Sequence, residues 1–164
     1  MKDSMPILLV DDDRIDVMMF KRALEDLKIT NPLIHLTDCK EALEYLQNED
    51  DEKTWIVLAD LNTPQMNGLE FLTAVKANDA LKQIIVIVLS GSDDEEDIAE
   101  SFRLGAAGYI VKPPDYNKLV EMLRTIHEYW TLSKLPHSGA RPQSDCPAPS
   151  LMRKKDSELS VQRP

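Results

Sequence analysis

The chain has 164 residues and a formal net charge of −10, which fits one domain of ordinary size followed by a tail. Residues 1–130 carry 13 Lys and Arg against 26 Asp and Glu, which argues against binding to DNA or anionic membranes, because both require basic surface. No apolar run reaches the ~20 residues that span a bilayer, and the N-terminus lacks a signal peptide, so we expect a cytoplasmic protein.

Strand and helix patterns alternate about every 25 residues, which is typical of βα units around a parallel sheet. Five strands are predicted, at about residues 6–11, 33–37, 55–60, 84–89 and 108–111. The first, third and fourth are continuous apolar runs, as expected for strands that helices cover on both faces. We therefore predict an α/β doubly wound, flavodoxin-like fold with a parallel sheet of order 2-1-3-4-5 and five flanking helices.

Five helices are predicted to follow the strands. The first covers about residues 14–28, and its core-facing side chains are expected to be Ile15, Met18, Met19, Ala23, Leu24 and Leu27. The second begins at a D-x-x-E sequence that starts with Asp38 and resembles a capping box. The third follows Gly68, and the fourth begins in the acidic run 92–96 and ends at Gly105. The fifth covers about residues 115–130.

The composition changes after Trp130. Five of the ten prolines lie in residues 131–164, among many serines and without apolar periodicity, which is typical of disorder. We assign residues 1–136 to the domain and predict a disordered tail at residues 137–164. The two cysteines, Cys39 and Cys146, predict neither a disulfide framework nor a zinc site.

Polar side chains occupy the ends of four predicted strands: Asp11, Asp12 and Asp13 after the first, Asp60 on the third, Ser90 on the fourth and Lys112 on the fifth. Ligands of an open α/β sheet bind at this edge, where the strand order reverses between strands one and three. Two carboxylates ~4 Å apart repel by ~4 kcal/mol at an effective dielectric of ~20. A hard divalent cation removes that penalty, and an all-oxygen site suits Mg²⁺.

A bound Mg²⁺ would let this acidic pocket accept a phosphoryl group. Asp60 is then the predicted nucleophile, while Ser90 and Lys112 bind phosphoryl oxygens. Each residue also has an ordinary interpretation: Asp12 or Asp13 as a helix cap, Asp60 and Ser90 as turn residues, and Lys112 as a solvent-exposed lysine. Their joint occurrence at four strand ends favours the phosphoryl site.

These residues lie in motifs that resemble the receiver domain of two-component response regulators, with similarity over residues 5–130. The motifs are Val10-Asp11-Asp12, Asp60-Leu61-Asn62-x-Pro64-x-Met66-x-Gly68, Ser90-Gly91 and Gly108-Tyr109-Ile110-Val111-Lys112-Pro113. The resemblance implies that Asp60 accepts a phosphoryl group from a sensor histidine kinase or a phosphotransfer protein. It implies a Mg²⁺ site made of Asp11, Asp12, Asp60 and the backbone carbonyl of Asn62.

The same resemblance assigns the remaining site residues. Ser90 and Lys112 would bind the phosphoryl group, and Tyr109 matches the aromatic switch position of the family. The Lys112–Pro113 peptide bond is expected to be cis. The only chemistry expected is self-catalysed phosphoryl transfer and autodephosphorylation, with a conformational change that signals to protein partners.

Two further segments resemble the single-domain response regulators of cyanobacterial phytochromes: the lengthened loop at 48–54 and the ending at 126–136. This resemblance implies a phytochrome-type kinase as partner and a homodimer through the fourth helix, fifth strand and fifth helix. Trp130 is a predicted anchor of that dimer, in an apolar cluster with Tyr129, Leu132, Leu135 and Pro136. The alternative is that Trp130 folds back over the sheet of its own domain.

Other functions remain open on the residues alone. A haloacid-dehalogenase-type phosphatase also uses a strand-end Asp and Mg²⁺, and Asp11-x-Asp13 resembles its D-x-D signature. That function leaves Asp60 without a role, and no second acidic motif follows Lys112. Binding of FMN is disfavoured, because three aspartates after the first strand would repel the flavin phosphate. A receiver domain that is never phosphorylated is the last alternative.

Overall fold

The computed structural model describes residues 5–49 and 54–135, and in this part strands and helices alternate. The strands are β1 (Ile7–Val10), β2 (Leu33–Leu36), β3 (Ile56–Asp60), β4 (Ile85–Ser90) and β5 (Gly108–Val111). The helices are α1 (Arg14–Asp26), α2 (Cys39–Asn48), α3 (Gly68–Ala77), α4 (Glu95–Arg103) and α5 (Tyr116–Leu132). The predicted tail at residues 137–164 lies outside the described residues, and so does most of the lengthened loop.

All five strands form one parallel sheet in the order β2-β1-β3-β4-β5, which confirms the predicted fold. The strand order reverses between β1 and β3, where Val10 pairs with Ala59. One residue further along each strand come Asp11 and Asp60. The register therefore sets these two carboxylates side by side at the carboxyl edge of the sheet, where ligands of this fold bind.

Successive side chains of each strand point to opposite faces, so the sheet builds two cores. The first lies beneath α1 and α5 and includes Leu9, Leu58, Phe20, Ala23 and Leu123. The second lies beneath α2 and α3 and includes Leu8, Val57, Ala42, Phe71 and Val75. The central strands are buried throughout, as their continuous apolar sequences predict. No helix among the described residues is long and apolar enough to cross a membrane.

The core-facing side of α1 was predicted wrongly in part. Ile15 and Met18 are 67% and 69% exposed, whereas Val17 and Phe20 are buried. Ile15 and Met18 are three residues apart, and so are Val17 and Phe20. Helical periodicity alone therefore does not decide which of the two pairs faces the core. The helix begins after the N-cap residue Asp13. In the orientation about its axis that α1 adopts, Val17 and Phe20 are buried against the sheet.

Trp130 folds back over its own domain. It is partly buried and packs against the core cluster beneath α1 and α5, as does Leu135. Tyr129 and Leu132, in contrast, are 61% and 85% exposed. Trp130 therefore covers apolar surface of its own domain, as the alternative expected, and Pro136 lies outside the described residues. The homodimer itself stays a prediction.

Candidate functional site

Three carboxylates meet at the carboxyl edge of the sheet. Asp11, Asp12 and Asp60 each offer an oxygen atom, and these atoms lie within 4.8 Å of one another. Asp11 and Asp60 are buried, and Asp12 is exposed. Burial raises the pKa of Asp11, although hydrogen bonds from Lys112 and from the Asp13 backbone act in the opposite direction. Oxygen ligands of this kind fit a hard divalent cation.

The ammonium group of Lys112 lies among carboxylates, not in solvent. Its Nζ atom is 2.9 Å from Oδ2 of Asp11, Oδ2 of Asp16 and Oδ2 of Asp60. Burial alone lowers the pKa of Lys112, but the hydrogen bonds to the three carboxylates outweigh it and raise that pKa above its usual value. The three carboxylates therefore favour the charged form of Lys112 inside the site.

Asp16 is the member of this arrangement that the sequence did not predict. It lies in the first turn of α1, where an acidic residue is expected because it suits the positive end of the helix dipole. Its partner Lys112 is 96 residues away. Asp16 of α1 and Lys112, which follows β5, come together only in the folded structure.

Asp13 does not join the carboxylate cluster among the described residues. Its Oδ1 atom accepts hydrogen bonds from the backbone N–H groups of Ile15, at 2.8 Å, and Asp16, at 3.3 Å. Asp13 is thus the N-cap of α1. The D-x-D pair of a haloacid-dehalogenase-type phosphatase is not assembled, because the second aspartate caps the helix.

The loop that follows Asp60 is tied to the start of α2. The Thr63 hydroxyl donates to the Met66 carbonyl and accepts from the Cys39 N–H at 3.2 Å. Asp38, the N-cap of α2, accepts from the Gln65 N–H at 2.8 Å. These bonds hold in place the segment that contains Asn62, the predicted metal ligand.

The same loop returns to the sheet at Gly68. A Cβ atom at this position would lie 3.0 Å from the Asp60 carbonyl oxygen and 3.0 Å from Leu61 Cα. Backbone atoms cannot yield as a flexible side chain can. Glycine is therefore required where α3 begins beneath Asp60.

Ser90 and Tyr109 are connected through Ser92. Ser90 is fully buried, and its Oγ accepts a hydrogen bond of 3.1 Å from the Ser92 N–H. The Tyr109 hydroxyl donates to the Ser92 carbonyl at 2.8 Å. Ser92 is thus hydrogen-bonded to both Ser90 and Tyr109. The sequence pattern predicted no role for Ser92 except at the start of α4.

The Lys112–Pro113 bond was predicted to be cis, and that prediction is wrong. The described residues contain no cis peptide bond. The trans form before proline is intrinsically favoured by ~0.5–1 kcal/mol.

The sequence matches a known family, described as the response regulator receiver domain, over residues 7–124. The response regulator Rcp1 of Synechocystis sp. is 34% identical over 128 residues, which cover 76% of this chain and 87% of Rcp1. The crystal structure of the phosphorylated cyanobacterial phytochrome response regulator RcpA has a TM-score of 0.74 and 32% identity. It covers 81% of this chain and 99% of RcpA.

The Mn²⁺-bound form of Rcp1 is a second similar structure. Its TM-score is 0.71 at 32% identity, and the match covers 80% of this chain and 99% of Rcp1. Sequence profile, relatives and fold agree with the motifs at the strand ends. The chain belongs to the family of response regulator receiver domains and is related to phytochrome response regulators.

Proposed function

We propose that this chain is a response regulator that accepts a phosphoryl group on Asp60 from the phosphohistidine of a sensor histidine kinase or phosphotransfer protein. In this reaction an Asp60 carboxylate oxygen attacks phosphorus, the P–N bond breaks, and imidazole leaves with the electron pair and takes up a proton. The observation that carries the proposal is the position of Asp60, with Oδ2 2.9 Å from the Lys112 ammonium and beside two further carboxylates.

The proposed metal is Mg²⁺, held by Asp11, Asp12, Asp60 and the backbone carbonyl of Asn62. The clustered carboxylate oxygens support this choice, since hard divalent cations prefer oxygen ligands. A related protein, Rcp1, was crystallised with Mn²⁺. When bound, the cation neutralises charge on the carboxylates and on the phosphoryl oxygens.

Lys112 and Ser90 are the proposed partners of the phosphoryl group. The Lys112 ammonium already lies beside the Asp60 carboxylate, so it can bind a phosphoryl oxygen after a small movement. The Ser90 oxygen accepts a hydrogen bond from the Ser92 N–H, and its hydroxyl can still donate its proton to a phosphoryl oxygen. Movement of Ser90 towards that oxygen, which draws on the Ser92 N–H, is the proposed start of the signal.

The signal then passes from Ser90 to Tyr109. Both residues are hydrogen-bonded to Ser92. A shift of the Ser92 backbone therefore displaces the carbonyl oxygen that accepts the hydrogen bond from the Tyr109 hydroxyl. Tyr109 lies on β5, and α4 begins just after Ser92. The surface of α4, β5 and α5 is therefore the proposed output surface.

The proposed partner upstream is a phytochrome-type kinase, which is supported by the likeness to Rcp1 and RcpA. A homodimer through α4, β5 and α5 is also proposed. Four exposed apolar side chains on these elements support it: Phe102, Val111, Tyr129 and Leu132.

The proposal is tested by incubating the full chain with a small phosphodonor and measuring its intact mass. We expect one added phosphoryl group, labile to base and hydroxylamine, and only when Mg²⁺ is present. Asp60→Asn is expected to abolish labelling, while Asp79→Asn, an exposed aspartate paired with Lys82, leaves it unchanged. Full labelling of Asp60→Asn would mean that another residue is the nucleophile. A phosphatase that uses Asp11 as its nucleophile would keep its activity in Asp60→Asn.

A further inference from the structure

Asp16 differs from the other two carboxylates that bind Lys112. Asp11 and Asp60 also belong to the oxygen cluster that fits a divalent cation, whereas Asp16 lies outside that cluster. All three are 2.9 Å from the Lys112 ammonium. The Asp16 side chain is 34% exposed, compared with 3% for Asp11 and 11% for Asp60. Within residues 5–49 and 54–135, Asp16 is therefore the carboxylate partner of Lys112 that remains available when a cation binds the cluster.

The ordinary explanation of Asp16 is that it stabilises the start of α1. An acid in the first helical turn does this, and the Asp16 N–H is capped by Asp13. That explanation does not require the carboxylate to point at Lys112, which follows β5 and lies 96 residues away. The ion pair across two elements indicates an additional role in the site.

We propose that Asp16 is a positioning residue that holds the Lys112 ammonium while a divalent cation binds Asp11, Asp12 and Asp60. The inference rests on the proposed function. An ammonium and a metal ion that share the same oxygens repel each other, because both are positively charged and lie close together. The ammonium must then move towards an anion outside the cluster, and Asp16 is that anion.

Asp16 is expected to favour the binding of the metal ion and to disfavour the binding of the phosphoryl group. A phosphoryl group on Asp60 needs the Lys112 ammonium, and Asp16 competes for it. The same carboxylate therefore favours the metal and disfavours the phosphoryl group. These opposite signs distinguish a positioning role from a merely structural one, because local damage to the site would weaken both interactions.

The test measures two affinities of the full chain. Mg²⁺ is titrated by calorimetry, and beryllium fluoride, a phosphoryl analogue, is titrated at saturating Mg²⁺. For Asp16→Asn we expect Mg²⁺ to bind roughly two- to fivefold more weakly and beryllium fluoride to bind more tightly by a similar factor, the range for a partly exposed ion pair. Asp16→Ser serves as a second neutral variant, and Asp16→Glu, which keeps the charge, is expected to restore the parental pattern at least in part.

Two controls separate positioning from general electrostatics. Glu25→Gln removes the same charge from an exposed position of α1 and is expected to change neither affinity. In a Lys112→Ala background, Asp16→Asn is expected to have a smaller effect on Mg²⁺, because no ammonium remains to be held. An undiminished effect there means direct attraction between Asp16 and the metal, which overturns the inference.

The remaining outcomes are also decisive. If both affinities fall in the neutral variants, or if neither changes, Asp16 does not position Lys112. If the parent protein binds neither Mg²⁺ nor beryllium fluoride, the proposed function fails and the inference fails with it. A parent that binds both, with Asp16→Asn unchanged, overturns the inference alone.

Discussion

The ammonium group of Lys112 lies 2.9 Å from Oδ2 of Asp60, although 52 residues separate them in the chain. The same ammonium is 2.9 Å from Asp11 and from Asp16, so one cation pairs with three carboxylates at the edge of the sheet and offsets only part of their charge. A buried carboxylate without a partner is costly, and Lys112 supplies that partner when no metal is bound. The residue proposed to bind phosphate therefore also stabilises the fold.

Lys112→Ala is expected to lower the free energy of unfolding by about 1–3 kcal/mol without Mg²⁺, because it leaves carboxylates unpaired in a partly buried site. Saturating Mg²⁺ is expected to recover part of this loss, since the metal takes over the neutralisation. Urea unfolding with and without Mg²⁺ measures both effects. The control is Lys82→Ala, which breaks an exposed pair with Asp79 and is expected to cost at most about 1 kcal/mol. Equal losses in the two variants would contradict the role of Lys112.

Gly68→Ala is expected to destabilise the domain by about 1–3 kcal/mol, the usual cost of inserting an atom where the surroundings cannot yield. The added Cβ would meet backbone atoms of Asp60 and Leu61 at 3.0 Å. Gly91→Ala is the matched control, because a Cβ there meets nothing within 4 Å. We expect Gly91→Ala to change stability by less than about 0.5 kcal/mol. Urea unfolding of the two variants side by side makes the comparison, and similar losses would refute the steric argument.

The sequence predicted the sheet and the edge at which polar residues gather, for a physical reason. Continuous apolar strands must be buried on both faces, and parallel strands bring their carboxyl ends to one edge. The grouping of Asp11, Asp12 and Asp60 with Lys112 follows from the strand order and from the register that pairs Val10 with Ala59.

Features that depend on helix rotation and on distant contacts escaped prediction. Periodicity could not choose between Ile15 and Val17 as core residues of α1, because both lie on apolar stripes. Asp16 looked like an ordinary first-turn acid until β5 placed Lys112 beside it. Trp130 at the end of α5 suggested an interface, yet its ring packs on its own domain. Each of these outcomes depends on how elements distant in sequence pack together.

Binding of beryllium fluoride with Mg²⁺ is expected to change the segment from Ser92 through α4 and Tyr109, because Ser90 and Tyr109 share Ser92 as a hydrogen-bond partner. Amide resonance shifts or slower amide exchange report the change. Tyr109→Phe removes the hydroxyl that binds the Ser92 carbonyl and is expected to reduce the response of α4. Tyr45→Phe removes a tyrosine hydroxyl from α2 instead and is expected to leave the response of α4 to beryllium fluoride unchanged. Changes confined to α2 would rule out this route.

The proposed homodimer is expected to depend on Tyr129 and Leu132, which are exposed at the end of α5, and not on Trp130, which is partly buried. Leu132→Asp places a charge within the proposed contact and is expected to weaken association at least about tenfold, or ~1.4 kcal/mol. Trp130→Ala is expected to lower the stability of the domain instead. Sedimentation equilibrium and circular dichroism together distinguish loss of association from loss of folding.

Met18→Asp is the matched control for this surface, because Met18 is also an exposed apolar residue, 69% against 85% for Leu132, and lies on a different helix, α1. We expect Met18→Asp to associate as the parent does. If it weakens association as much as Leu132→Asp, the contact surface does not lie on α4, β5 and α5. If the parent protein sediments as a monomer at high micromolar concentration, both with and without phosphorylation, the proposed homodimer is wrong.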